Sequence, residues 1–342
     1  MSDNAISTLS EFLLQAQTQY LVFDLGRGIR KIDNQVFFEW ENQQEACAFP
    51  RQNHVWLCIV FWNEKLSHER YIWFVKLPLD EQGLIIPASR DQFLEIIVQA
   101  LGKELEHNED KQAKLPENPF VFTPSQQQLA DCNALIRASI GIIATPSEKA
   151  LQYIKAPKIQ DWSVLSVQEI ADLICFADKN TQASIAQQLP HFAPPVLSCL
   201  FASLENNIVE DCLLNALIAY HENSNDVTLS TLCLRAMSFQ PNDRCIKYVK
   251  NIVLNNNDIS LDTCVVIVGR FWQLCEDDNF LVALMHKIAT IDESAELFKS
   301  LYADLVKIPS IRTAMLGFIR NEKRSDAVAN AIGHLFNTQL KA

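Results

Sequence analysis

Three residues near the start of the chain have types and spacing that could bind phosphate. Asp24, Gly26 and Gly28 occur in the segment Asp-Leu-Gly-Arg-Gly. Glycines at this spacing let backbone amides approach a phosphate, and the neighbouring carboxylate could help to hold a metal. The same residues also suit a tight turn between two strands. Because the chain has only 8 glycines and no second Asp-Gly hairpin, we favour the turn and keep a phosphate site as the alternative.

Local catalytic motifs are missing from the rest of the sequence. The 7 histidines are scattered with no pair at i, i+4, and the 10 cysteines include no Cys-x-x-Cys pair. There is no Gly-x-Ser-x-Gly, no phosphate loop ending in Lys-Ser/Thr and no His-Glu-x-x-His. We therefore predict no catalytic residue, no metal site and no cofactor. The question of enzymatic activity stays open, because a site built from distant residues leaves no local motif, but a non-enzymatic role is favoured.

Aromatic residues concentrate in the first third of the chain, which holds four of the 6 tryptophans. Successive side chains of a strand point to opposite faces, so one residue of each adjacent aromatic pair must face away from the other. If both faces of the sheet are covered, all of these residues are core. If one face is open, it carries an aromatic patch that could bind a partner. Trp62 and Trp73 are the candidate partner-binding residues of such a patch.

Basic residues gather near the C-terminus of a chain whose net charge is -12. The group consists of Arg312, Arg320, Lys323 and Arg324. One interpretation is a solvated edge that pairs with the nearby Glu322 and Asp326. The other is a docking site for a partner with an acidic patch, and we treat the four residues as candidates for that contact.

Composition limits the classes of partner and the location. An acidic chain repels nucleic acid and anionic membranes, so a nucleic-acid partner is not expected. No apolar run approaches the roughly 18 residues that a bilayer-crossing helix needs, so no membrane association is expected. The polar start of the chain and cysteines placed within apolar faces predict a cytoplasmic protein with reduced thiols.

The first part of the chain is predicted to be an α+β module at residues 1–106, with an antiparallel sheet and flanking helices. Strands are predicted at 20–24, 29–32, 54–62, 70–76 and 84–86. Thr8, Asp33 and Ser89 are the predicted helix caps. A polar, proline-bearing linker at 107–123 follows, and Thr123-Pro124 is the predicted start of the next helix.

Residues 124–342 are predicted to be all-α and built from helical hairpins. The hairpins are predicted to start near Ser166, Pro194, Asn225, Ile259, Glu293 and Arg324. The intervals of about 28 to 34 residues fall in the range of helical repeat arrays. No tetratricopeptide or ankyrin signature is present, so a HEAT-like solenoid and an irregular bundle both remain open.

Three segments resemble a family of bacterial proteins catalogued as domain of unknown function 3549. They are Ile-Ser-Thr-Leu-Ser-Glu-Phe-Leu-Leu-Gln-Ala (6–16), Tyr-Leu-Val-Phe-Asp-Leu-Gly-Arg (20–27) and Tyr-Ile-Trp-Phe-Val-Lys-Leu-Pro-Leu-Asp-Glu-Gln-Gly-Leu (71–84). The resemblance is sharp over about the first 100 residues, and it is expected to cover the whole chain. It implies a bacterial cytosolic origin but no activity, cofactor or catalytic residue.

The leading functional hypothesis is a non-enzymatic adaptor or scaffold that binds another protein through an acidic or apolar patch of that partner. The alternative is a nucleotide- or metal-responsive enzyme or switch, with its site in the first module or in the cleft between the two parts. Binding to structured RNA or a ribosomal surface is a third hypothesis, which only the small basic clusters favour.

Overall fold

The computed structural model describes residues 6–65, 69–107, 117–142, 144–240, 242–256, 259–292, 294–321 and 324–337. The chain divides into two compact units. The α+β unit comprises Met1–Pro124 and Lys307–Pro309, and the helical unit comprises Ser125–Val306 and Ser310–Ala342. The predicted fold class is confirmed, since a four-stranded antiparallel sheet with helices is followed by a helical region.

The sheet of the α+β unit contains four strands in the order β2-β1-β3-β4, and all neighbouring pairs are antiparallel. The strands are β1 (Gln19–Asp24), β2 (Arg30–Ile32), β3 (His54–Trp62) and β4 (Tyr71–Pro78). Their β-branched and aromatic residues favour a pleated, buried sheet. The predicted strand at 84–86 is wrong, because Ile85 forms only an isolated bridge with Leu79.

Within the described residues, three helices accompany this sheet, namely α1 (Leu9–Gln15), α2 (Asn34–Glu41) and α3 (Pro87–His107). The predicted caps of the first two are confirmed: Thr8 accepts a hydrogen bond from the Glu11 amide, and Asp33 accepts one from the Gln35 amide. The cap predicted at Ser89 is wrong, because α3 already begins at Pro87. Proline suits the first helical position, where no amide hydrogen is needed.

One face of the sheet carries the hydrophobic core of the α+β unit. Val22, Leu57 and Val75 lie on three neighbouring strands and are 0 % exposed, and they pack in one cluster with Phe37 of α2 and Phe93 of α3. The alternation of side chains along each strand therefore fixes which residues face the helices.

Thirteen helices form the described part of the helical unit. They are α4 (Gln126–Ser139), α5 (Glu148–Lys155), α6 (Val167–Cys175), α7 (Lys179–Gln188), α8 (Pro194–Leu204), α9 (Asp211–Asn223), α10 (Val227–Ala236), α11 (Asp243–Asn255), α12 (Leu261–Arg270), α13 (Asp278–Ile291), α14 (Glu296–Leu305), α15 (Arg312–Arg320) and α16 (Asp326–Asn337). The helix start predicted at Thr123-Pro124 is wrong. Ser125 is the cap of α4 and forms a reciprocal capping box with Gln128, which satisfies two amides instead of one.

The helices of this unit pack in two rows. Even-numbered helices from α4 to α16 each contact the next even-numbered helix. In the other row, α5 contacts α7 and α7 contacts α9, while α11 contacts α13 and α13 contacts α15. Helices α6, α8, α10, α12, α14 and α16 begin within about three residues of the six predicted hairpin starts, although Glu293 itself lies outside the described residues.

Candidate functional site

Trp62 and Trp73 lie on opposite faces of the sheet. The Trp73 ring centroid is 4.3 Å from that of Phe61 and 6.4 Å from that of Phe93, on the face that carries the core. Trp62 follows Phe61 along β3 and so points the other way, where the Arg70 guanidinium lies 6.0 Å from its ring centroid. Both tryptophans are half-buried. The two predicted binding residues therefore do not form one continuous patch.

The segment from Asp24 to Gly28 forms a closed turn between β1 and β2. Asp24 Oδ1 accepts a 2.7 Å hydrogen bond from the Gly26 amide. A Cβ atom at position 26 would lie 2.1 Å from the Phe49 carbonyl oxygen. Gly28 has φ 115°, a conformation that side chains disfavour. The backbone conformation and packing of the turn therefore account for both glycines without a ligand. Residues 25–29 are all buried.

The Asp24 carboxyl is buried among positive charges. Burial raises its pKa to about 7, while the Gly26 hydrogen bond and the charges of Arg30, Arg27 and Arg51 act in the opposite direction. Asp24 Oδ2 has no hydrogen-bond partner within the described part of the chain. A carboxyl with this pKa gains or loses a proton near neutral pH, so the charge of this turn can change there.

The predicted basic group separates into different environments. Arg312 is half-buried, and its Nε donates a 3.1 Å hydrogen bond to a backbone carbonyl of the preceding segment. Arg320, the last residue of α15, is exposed. Arg324 is also exposed, and its Nη1 donates a 2.9 Å hydrogen bond to a carbonyl near the end of α15. Lys323 lies outside the described residues. Arg320 and Arg324 are therefore the exposed cations of this group for which the structure gives a position.

Arg324 also lines a small pocket between α13, α15 and α16, which we call the C-terminal pocket. Its volume is about 70 Å³. The lining residues are Val282, His286, Phe318, Asn321, Arg324, Ser325 and Val328. Phe318 and Val328 are buried and form an apolar floor, and His286 Nδ1 lies 2.8 Å from Ser325 Oγ on the polar side. The pocket has room for one small apolar side chain beside a cation.

Sequence reasoning did not find this pocket. His286 and Ser325 are 39 positions apart, and the lining comes from three helices. Of the lining residues, the sequence marks only Arg324, by its place in the basic group. The remaining lining residues look like ordinary members of amphipathic helices, so the sequence carried no signal that could have grouped them.

Buried charged groups also join the helices of the even-numbered row. Glu205 follows α8, and its side chain is 4 % exposed. Its Oε1 lies 2.9 Å from Nη2 of Arg235 on α10 and 3.0 Å from Nη2 of Arg270 on α12. One carboxylate therefore links three helices. No local pattern in the sequence indicates this link, because its partners are 30 and 65 positions away.

A second buried carboxyl, Asp131 on α4, lies close to the first. Asp131 accepts hydrogen bonds of 2.6 Å from Ser203 Oγ and of 3.0 Å from Gln127 Nε2. Burial raises the pKa of Asp131 to about 6, and the Glu205 charge adds to the increase. This group binds a proton more tightly than an exposed aspartate does, and its contacts hold α4 against α8.

Two further kinds of feature have no candidate among the described residues. No group of three or more His, Cys, Asp or Glu side chains there is arranged to hold a metal ion. No helix in the same residues combines the length and apolar character needed to cross a bilayer.

The fold defines a class of protein in which a small α+β unit is followed by a helical unit of two rows. The chain belongs to the family described as Protein of unknown function (DUF3549), whose family model matches residues 4–336. The resemblance expected from the sequence is thereby confirmed. Searches of curated proteins and of solved structures gave no match.

Proposed function

We propose that this protein is a non-enzymatic protein-interaction adaptor, and that its C-terminal pocket binds a partner protein. The partner would present an apolar side chain next to one or more carboxylates. The observation that carries the proposal is the apolar floor of Phe318 and Val328 beside the exposed Arg324.

The two-row packing of the helical unit supports this proposal. Helical hairpins stacked in rows make extended surfaces, and proteins built in this way use those surfaces to hold other macromolecules. The even-numbered row is continuous from α4 to α16. We propose that the helical unit is a HEAT-like array of this kind.

Charge also supports the proposal and suggests the chemistry of the partner. The chain carries a net charge of -12, so exposed arginines stand out from the surrounding potential. Arg320 and Arg324 are exposed near the end of α15. Arginine binds carboxylates in a planar, two-bond geometry, and buried arginine contacts frequently dominate binding energy at interfaces.

We place this action in the cytoplasm of a bacterium. The thiols of Cys233 and Cys245 are buried and form no disulfide bond, and each donates a 3.3 Å hydrogen bond to a backbone carbonyl. Burial raises the pKa of both thiols and so keeps them protonated. Unpaired thiols of this kind suit a reducing compartment.

The proposal is tested by affinity capture with the full-length chain from a lysate of the source cells. We expect one stoichiometric partner at low and at moderate salt. A double variant, Arg320→Glu with Arg324→Glu, should lose this partner because the contact to its carboxylates becomes repulsive.

The matched control is Lys247→Glu, which reverses one exposed charge on α11, away from the C-terminal pocket. The Lys247→Glu variant should capture the same partner as the wild type. Capture of no partner at any salt concentration would contradict the proposal, as would equal capture by the wild type and the double variant.

A second candidate function is a nucleotide- or metal-responsive switch in the α+β unit. The specific observation in its favour is the buried Asp24 carboxyl, which lies among arginine charges and has an oxygen without a hydrogen-bond partner in the described part of the chain. Residues 25–29 are buried, so a ligand would reach this turn only after it opens.

Thermal-shift measurements with nucleotides and divalent metals test this second candidate. At about 100 times its dissociation constant, a ligand stabilises the folded state by about 2.7 kcal/mol. The expected result is a shift that disappears in Asp24→Asn. If no nucleotide or metal shifts the wild type, this candidate fails and the adaptor proposal is unaffected.

A further inference from the structure

An ordered loop of the helical unit exposes three large apolar side chains. The loop connects α5 to α6, and we call its residues 156–166 the apolar loop. Ile159 is 84 % exposed, Trp162 is 44 % exposed and Val164 is 52 % exposed. Single exposed apolar residues are common on protein surfaces, but a tryptophan flanked by two aliphatic residues is typical of a contact surface.

Hydrogen bonds hold the tip of the apolar loop in one conformation. Asp161 Oδ1 accepts a 2.9 Å hydrogen bond from the Ser163 amide, and the Leu165 amide donates a 3.1 Å bond to the Trp162 carbonyl. The loop leads directly into the capping box of α6. Because the backbone is already ordered, binding through Trp162 would cost little additional entropy.

An apolar groove lies between α7 and α9 of the same unit. Its volume is about 400 Å³, which is within the range of ligand-sized sites and ample for an indole ring. The apolar part of its lining consists of Ala186, Leu189, Pro190, Ala216, Ala219 and Tyr220. The small alanine side chains leave the space that an inserted aromatic ring would fill.

The apolar loop and the groove lie at the same end of the helical unit. Helices α5, α7 and α9 are successive members of one row. The connections between α7, α8 and α9 are short, so the C-terminal ends of α7 and α9 point the same way. The Ala193 amide, in the segment between α7 and α8, donates a 2.9 Å hydrogen bond to the Tyr153 hydroxyl near the end of α5. This bond places the C-terminal end of α5, where the apolar loop begins, beside the C-terminal end of α7, which lines the groove.

Charges beside the two features are complementary. Lys155 and Lys158 are exposed at the start of the apolar loop. Glu222 and Asp226 are exposed at and just beyond the C-terminal end of α9, which lines the groove. At physiological salt, interactions beyond about 8 Å are largely screened. Local pairs of this kind can therefore outweigh the repulsion between two acidic chains.

We propose that two copies of this chain associate through these surfaces, with Trp162 of each copy inserted into the α7–α9 groove of the other. A protrusion and a groove on the same end of one unit are self-complementary, so a twofold axis brings both pairs together in a closed dimer. Lys155 and Lys158 then face Glu222 and Asp226 of the second copy. This surface shares no residue with the C-terminal pocket, so the two proposals stand or fall separately.

Sedimentation velocity of the full chain between about 1 and about 100 µM tests the proposal, because self-association depends on concentration. The wild type should show a reversible monomer–dimer equilibrium that weakens at high salt. Trp162→Asp should raise the dimer dissociation constant by at least about 30-fold, as expected for an interface anchor. Ala219→Arg, which fills the groove, should act in the same direction.

Leu261→Asp is the matched control, since Leu261 is also 44 % exposed but lies at the start of α12. It should leave the equilibrium unchanged. Mixing the Trp162→Asp and Ala219→Arg chains should restore association, because one intact loop then meets one intact groove. Should Trp162→Asp fail to fold, Lys158→Glu tests the same contact and should weaken the dimer, with recovery when Glu222→Lys is added.

A wild-type chain that stays monomeric over the whole range overturns the proposal, even if the apolar loop then binds lipid vesicles or a different protein. Dimers that tolerate both Trp162→Asp and Ala219→Arg also overturn it, as does a mixture of these two variants that remains monomeric.

Discussion

Ser203 Oγ donates a 2.6 Å hydrogen bond to Asp131 Oδ1, and this bond connects α8 to α4 across 72 positions of sequence. Burial raises the pKa of Asp131 from its ordinary value of 3.8 to about 6. The folded chain therefore holds this proton more tightly than the unfolded chain does. The contribution of the group to stability is full below about pH 4 and is lost as the pH rises through about 6.

We predict that Asp131→Asn removes this part of the pH dependence. An amide keeps an acceptor for Ser203 but carries no charge, so the variant should gain stability relative to the wild type between about pH 4 and pH 7. About two pKa units correspond to an upper limit of about 3 kcal/mol. Urea unfolding at both pH values measures the difference. Parallel pH profiles of stability for the wild type and the variant would count against the prediction. The control is Asp243→Asn, which removes the charge of an exposed carboxyl instead.

The link that Glu205 makes between Arg235 and Arg270 should matter for stability. Glu205→Gln leaves two partly buried guanidinium groups without their shared carboxylate. Removing one partner of a buried ion pair is strongly destabilising. The Arg235 side chain is 36 % exposed, so water can solvate part of the charge that is left behind. We therefore expect the free energy of unfolding to fall by about 2–4 kcal/mol, which is less than for a fully buried pair.

The matched comparison is the exposed ion pair of Glu210 with Lys179, whose N–O distance is 3.6 Å. Glu210→Gln should change the free energy of unfolding by less than about 0.5 kcal/mol, since exposed pairs contribute little. Chemical denaturation measures both variants. If Glu205→Gln and Glu210→Gln lower the free energy of unfolding by similar amounts, burial of the Glu205 link does not add to its stabilising effect.

Gly26 should not tolerate a methyl group, whereas Gly317 should. A Cβ atom at position 26 would lie 2.1 Å from the Phe49 carbonyl oxygen, while a Cβ atom on Gly317 of α15 has no neighbour within 4 Å. We expect Gly26→Ala to cost about 1–3 kcal/mol and Gly317→Ala to stabilise by about 0.5–1 kcal/mol. Thermal unfolding of both variants checks this. A harmless Gly26→Ala would show that the turn relaxes easily.

Local signals made most of the fold predictable from the sequence. Caps such as Thr8, Asp33 and Ser166 act within three residues and set where helices begin. The errors came where two signals compete over a few residues. Thr123-Pro124 resembles a helix start, but the capping box at Ser125 decides the boundary.

The sites could be predicted only in part, because they depend on contacts between distant residues. Alternation along β3 predicts that Phe61 and Trp62 face opposite ways, yet the face of Trp73 depends on the strand register, which the sequence does not reveal. The bond between Asp131 and Ser203 and the lining of the C-terminal pocket both require that helices far apart in sequence meet.

The most direct test of the adaptor proposal is photo-crosslinking from single positions of the full-length chain in its source cells. Leu316 on α15 and Val265 on α12 are each 46 % exposed, so a crosslinking residue at either position reports on surfaces of equal access. We predict one protein crosslinked from position 316, its loss when Arg320 and Arg324 are changed to Glu, and no such product from position 265. No product at 316, or the same product from both positions, would contradict the proposal.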